Sequence, residues 1–175
     1  MAPSQSPSSS PSPSPSSATI PTQDLWPSGD PPGQNALDDA VQKVKTAVSL
    51  KYAKWYSGIA LQQPVGPKDQ TPYAVLVYRV PNPALDAAAQ AASPTTKMIF
   101  IDTKYSAVQC DAVQSKVSKD VGYWKSRGLS LNSWGCQNGL VDIGITDPAA
   151  WKSALAARYG ADVIEVEKID PAQLG

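Results

Sequence analysis

LVDIGITDPAAWKSALAARYGADVIEVEKI, residues 140–169, reads as strand, helix, strand. Pro148 suits the first helical position, where its missing N–H is no loss, and Gly160 closes the helix. In the last strand Ile164 and Val166 alternate with Glu165 and Glu167, so the two carboxylates share one face. The same order stands earlier in the chain. YAVLVYRV (73–80) is an apolar, β-branched strand, PNPALDAAAQAA (81–92) a short helix with proline at its start, and KMIFID (97–102) a buried strand. Both the helix and the final strand recur at a spacing of 65 residues.

The likeness extends towards the N-terminus. Asn35 is placed to cap a helix with Asp38 in its first turn, and Val41, Val44, Val48, Tyr52 and Trp55 then step by three or four residues along one face. Ser106 and Gln109 form a capping-box pattern, followed by the stripe Cys110, Val113, Val117, Val121 and Trp124. Each member lies 69 residues after its counterpart. The change of spacing falls in the hairpin between helix and second strand. In the second copy that hairpin is LSLNSWGC (129–136) and LVDIGI, turning at Asn138-Gly139, a strong two-residue turn signal.

The sequence therefore predicts an α+β fold of two αββαβ units, 35–104 and 105–175, with antiparallel sheets packed by helices. Residues 97–169 alone also run βαββαβ, the ferredoxin-like order. That alternative would give one four-stranded sheet with N-terminal additions.

Cys110 occupies the position of Val41 and should face the core, where cysteine behaves as a small hydrophobe. From Cys110 to Gly128 a helix rises roughly 27 Å. The strand from Gly128 to Cys136 returns roughly 26 Å. The two cysteines come level, and a disulfide fits. Two reduced, buried thiols are the other reading, the one a reducing compartment would leave.

Residues 1–34 are Ser/Pro-rich and then turn-rich, a composition that cannot offset the entropy of ordering. They read as a disordered stalk. Such stalks stand before folded domains in exported proteins, so a secreted or cell-surface location is expected, with any membrane contact made only through an anchor ahead of the stalk. No run approaches the ~18 apolar residues of a membrane span.

Composition narrows the chemistry. Fifteen Lys and Arg balance fifteen Asp and Glu, so no net field draws the chain to nucleic acid. Histidine is absent, which removes Ser-His-Asp and Cys-His nucleophiles and the commonest metal ligand. Neither GxGxxG nor GxxxxGK[ST] occurs. No cofactor or metal is expected. Asp142 with Glu165 and Glu167 could in principle serve glycoside hydrolysis, but solvated charges on the outer face of a half-buried sheet are the plainer reading. Trp55, Trp124 and Trp151 fall on helix faces that suit a core. Trp134, out of phase with Leu129 and Leu131, is the tryptophan expected to face solvent or a partner, together with Tyr73 and Trp26.

The element order and apolar spacing of residues 105–169, with YSAVQCDAVQSKV, NGLVDI, the Asp-Pro-Ala-Ala helix and VIEVEK, resemble the prodomains of bacterial chymotrypsin-like proteases of the α-lytic type. Residues 36–103 follow the pattern more weakly. Exported proteins of high-GC Gram-positive bacteria show a similar order. The histidine and GDSGG loop of the protease domain that follows such prodomains do not occur in these 175 residues. The resemblance thus implies the fold and the binding without the catalysis.

These readings converge on an exported, non-enzymatic binding module, protease-prodomain-like in its protein binding or inhibition. Its expected partner is an extracytoplasmic protein, with a serine protease the one that the resemblance implies. Contact would be carried by the surface around Val163, Glu165 and Glu167 and by the tail containing Pro171 and Leu174. A cell-envelope structural or wall-binding domain using Trp134 is the alternative. An acid-dependent hydrolase stands third.

Overall fold

A computed structural model describes residues 33–169. The expected stalk lies outside these residues except for Gly33 and Gln34, and Gln34 already belongs to the first helix. The elements are α1 (Gln34–Val48), β1 (Tyr56–Gln62), β2 (Ala74–Arg79), α2 (Pro83–Ala92), β3 (Met98–Asp102), α3 (Ala107–Lys119), α4 (Val121–Lys125), β4 (Ser133–Gln137), β5 (Leu140–Ile145), α5 (Pro148–Tyr159) and β6 (Ile164–Lys168). They form two three-stranded sheets, ordered β1-β2-β3 and β4-β5-β6.

The fold is α+β with two similar units packed by helices. The sheets are mixed where antiparallel ones were expected. Each hairpin is antiparallel, but β3 joins β2, and β6 joins β5, in parallel. The cause is the helix between them: α2 and α5 carry the chain back along the sheet, so the third strand starts from the same end as the second. The ferredoxin-like alternative does not hold, because β3 hydrogen-bonds to β2 in the first sheet and shares no sheet with β4 to β6.

Equivalent strand positions are 66 residues apart, one more than the 65 expected for the final strand, as with Val75 opposite Met98 and Val141 opposite Ile164. The helix caps Asn82 and Asp147 are 65 apart, as the sequence indicated. One residue is therefore lost before the second crossover helix and regained after it. Both caps work in the same way. The side chain of Asn82 accepts the Leu85 N–H at 2.9 Å, that of Asp147 accepts the Ala150 N–H at 3.3 Å, and proline follows each. Ser106 and Gln109 close a complete capping box on α3.

α1 departs from expectation at both ends. It is entered from Gly33 in a left-handed conformation (φ 90°), and Asn35 lies inside the helix. The buried stripe is Leu37, Ala40, Val44 and Val48. The helix stops at Val48, so Tyr52 is half-buried and Trp55 stands out to solvent in the turns before β1. In the second unit the corresponding stretch resumes as α4 after a break at Asp120, and α4 delivers Trp124 into the core.

Each unit has its own core. Val44, Val48, Val75, Val77 and Leu85 centre the first; Val117, Val141, Ile143, Ile145 and Leu155 centre the second. Where the second has Ile145, the first buries Arg79, whose guanidinium is held by Asp86 of α2 and Asp102 of β3. The units meet at the β4–β5 turn. Asn138 (φ 51°) and Gly139 (φ 84°) both adopt positive φ, the requirement of a tight two-residue hairpin. A methyl group on Gly139 would lie 2.2 Å from the carbonyl oxygen of Tyr105, and one on Gly58 would lie 2.5 Å from Oδ1 of Asn138. Beside this contact the buried Ser57 hydroxyl shares a 2.5 Å hydrogen bond with Thr103 and donates to the Tyr105 carbonyl at 2.7 Å.

Candidate functional site

The outer face of the second sheet follows from alternation and register. Cys136, Val141, Ile143, Ile164 and Val166 point towards the helices, which leaves Gly135, Asp142 and Glu165 in one row on the other face. Ser133, Gly144 and Glu167 form the next row. Asp142 is half-buried while Glu165 and Glu167 are exposed. Burial pushes the Asp142 carboxyl above its ordinary range, and the charges of Glu165 and Glu167 push it further. In the first sheet the same rows are Ala60, Leu76, Ile99 and Gly58, Tyr78, Ile101. One scaffold thus presents an apolar sheet face in the first unit and an acidic one in the second.

Among the described residues β6 is an edge strand, bonded only to β5. Val141 donates to the Val163 carbonyl at 2.9 Å, and Ile169 donates to the Ile145 carbonyl at 3.0 Å. By alternation along a parallel ladder, the amides of Glu165 and Glu167 face β5, and those of Ile164, Val166 and Lys168 face outward.

The residues expected at a binding surface separate here. Glu165 and Glu167 are on the surface. Val163 is not: its side chain lies in the second core, 5% exposed, because it precedes β6 and packs inward as Gly160 turns the chain. Pro171 and Leu174 lie outside the described residues, as does Trp26. Trp134 packs against the second core, and its indole N–H donates to the Ser118 hydroxyl at 2.7 Å. Trp134 was expected to face outward but turns towards the core, because β4 begins only at Ser133. Leu129 and Leu131 precede the strand and set no alternation for it. Tyr73 packs against the other core.

Cys110 and Cys136 are joined in a disulfide with Cα atoms 5.7 Å apart. This bridge is compatible with an extracellular location. Among the described residues no helix is long and apolar enough to cross a membrane. No group of three or more His, Cys, Asp or Glu among them could hold a metal ion.

A second cluster lies where α4 meets α5. Arg158 binds Asp120 through Nε at 2.7 Å and Nη2 at 2.9 Å. The Tyr159 hydroxyl donates to Asp120 at 3.0 Å and accepts from the Trp124 indole at 2.7 Å. The hydrogen bonds from Arg158 hold the Asp120 carboxyl below the ordinary range. No sequence motif announces this cluster, since Asp120 and Arg158 are brought together only by the packing of two helices.

No protein-family model matches the chain, and no curated protein matches it.

Proposed function

We propose that the chain is an extracytoplasmic, non-enzymatic protein-binding module that takes an extended partner segment along the free edge of β6. The observation that supports this most is the edge itself, a row of backbone donors and acceptors with no strand partner among the described residues, beside an acidic sheet face. A strand added there would gain main-chain hydrogen bonds, and its side chains would fall alternately on the two faces. Asp142, Glu165 and Glu167 favour a partner segment that carries Lys or Arg on the outer face. The same charges discourage indiscriminate edge pairing between copies of the chain. The resemblance to protease prodomains adds that the partner is a serine protease and that the tail with Pro171 and Leu174 shares the contact.

The wall-binding alternative, which would use exposed aromatics such as Trp134, meets a residue half-buried against the second core. The test is a pull-down from culture supernatant with the full chain, Lys168→Pro and Glu165→Lys/Glu167→Lys. Lys168→Pro removes an outward amide and leaves the β5–β6 ladder intact. Loss of the same partner in both variants supports the edge reading. Retention in Lys168→Pro with the fold unchanged would sink it.

A further inference from the structure

The helical side of the second unit, opposite the acidic sheet face, carries an open groove of about 450 Å³ between α4 and α5. That volume falls in the range of ligand sites, ~300–1,000 Å³. Its walls are Tyr123, Trp151 and the guanidinium groups of Arg127 and Arg158, and Ala154 and Ala157 leave room between them. Trp124 closes one end, edge-on to both Tyr123 and Trp151 with ring centroids 5.1 and 6.2 Å away.

The charged residues that line the groove are both arginines. Arg127 and Arg158 lie over the Tyr123 ring, 3.8 and 4.0 Å from its centroid. Arg158 is neutralised by Asp120. Arg127 is exposed and forms no ion pair among the described residues; its contact is the ring. Neither α4 nor α5 contains an acidic residue within its span, although Asp120 and Asp147 cap them, and Lys125 and Lys152 directly follow Trp124 and Trp151 in the chain. A planar guanidinium fixed on an aromatic ring keeps its N–H fork free for a carboxylate, at little further cost in side-chain entropy.

We propose that this groove binds a carboxylated saccharide, with its carboxylate on Arg127 and a sugar-ring face against Trp151. The aromatic face carries partial negative charge, which suits the C–H groups of a sugar ring. A peptide is the poorer fit. The walls are two helices and the turn that follows α4, so no strand edge is available to pair with an extended backbone. An α-helix would need a continuous apolar trough, and two guanidiniums interrupt this one. The ligand must be held by side chains alone, through rings and carboxylates, which a uronic-acid chain repeats at every residue.

The experiment titrates the full chain with a galacturonic acid trimer, following tryptophan fluorescence and calorimetric heat. Maltotriose and a triglutamate peptide are the comparison probes. The trimer should saturate, maltotriose should give no signal, and triglutamate should bind at least 10-fold more weakly than the trimer. Arg127→Ala should weaken trimer binding at least 10-fold at unchanged melting temperature. Lys125→Ala should change it less than about 3-fold, since a nearby charge gives only screened attraction. Absence of trimer binding, equal affinity in Arg127→Ala, or an equal loss in Lys125→Ala would overturn the proposal. Tight binding of triglutamate, lost in Arg127→Ala, would overturn it in favour of an acidic peptide. Lys168→Pro should leave trimer binding unchanged, which separates this site from the β6 edge.

Discussion

Cys110 and Cys136 bridge α3 to β4 at the place where the first unit sets Val41 beside its core and Leu61 opposite Val75. Cys136 stands opposite Val141, the equivalent of Val75. A covalent bond in one unit thus occupies positions held by apolar side chains in the other. Closing a loop over a separation of 26 residues contributes roughly 3–4 kcal/mol in the chain-entropy model. Cys110→Ala/Cys136→Ala should lower the unfolding free energy by about that amount in urea titrations. The oxidised wild type, unfolded without reductant, should show no titratable thiol.

Asp142 and Glu165 face one another across β5 and β6, and like charges directly opposite destabilise a sheet. The folded state raises the pKa of Asp142, so its ionised form is disfavoured relative to the unfolded chain. Stability is therefore gained as pH falls through the folded pKa, and the gain is complete below the unfolded value of ~3.9. Asp142→Asn should be more stable than wild type at pH 7, by about 0.5–1 kcal/mol. That advantage should shrink as the medium is acidified. Urea midpoints of both proteins at pH 7 and pH 4 measure it.

Gly139 combines a positive φ with a carbonyl in the space that a side chain would fill. Gly139→Ala should cost about 2 kcal/mol or more, from left-handed strain alone ~1–2 kcal/mol plus the collision with Tyr105. At Gly58 the obstruction is the end of the Asn138 side chain, which can move aside. Gly58→Ala should be the milder of the two. Thermal melts of both variants give the order.

Asp120 accepts from Arg158 and from Tyr159, and its side chain is 15% exposed. Asp120→Ala should destabilise the second unit by about 1–3 kcal/mol, since it leaves the Tyr159 hydroxyl and the guanidinium without their acceptor. The Asp120 pKa is depressed in the fold. Its contribution is therefore present above the unfolded pKa and lost as pH falls through the folded one. The wild-type and Asp120→Ala stability curves should converge on acidification.

The order of elements was legible because its signals are local. Pro83 and Pro148 open helices, the capping box marks α3, and Asn138-Gly139 fixes a turn. The disulfide was legible from the levelling of helix start and hairpin end, although the helix breaks at Asp120 and β4 begins only at Ser133. The parallel direction of β3 and β6 was implied by the strand–helix–strand order, since a crossover helix returns the chain to the end it left, and the expectation of antiparallel sheets missed it. The acidic face was half legible: Glu165 and Glu167 alternate with Ile164 and Val166, but the first residue of β4 decided the side of Trp134. The Arg127–Trp151 groove was invisible, because its walls come from helices that meet only in three dimensions.

The single bridge also gives the chain a mechanical asymmetry. Pulled from its two ends, the first unit can be drawn out to its full contour. The second keeps the 26-residue stretch from Cys110 to Cys136 folded back on itself. That withholds roughly 90 Å of length at ~3.3–3.6 Å per residue. Under load the oxidised molecule is shorter than its residue count implies, and reduction releases the hidden slack in one step.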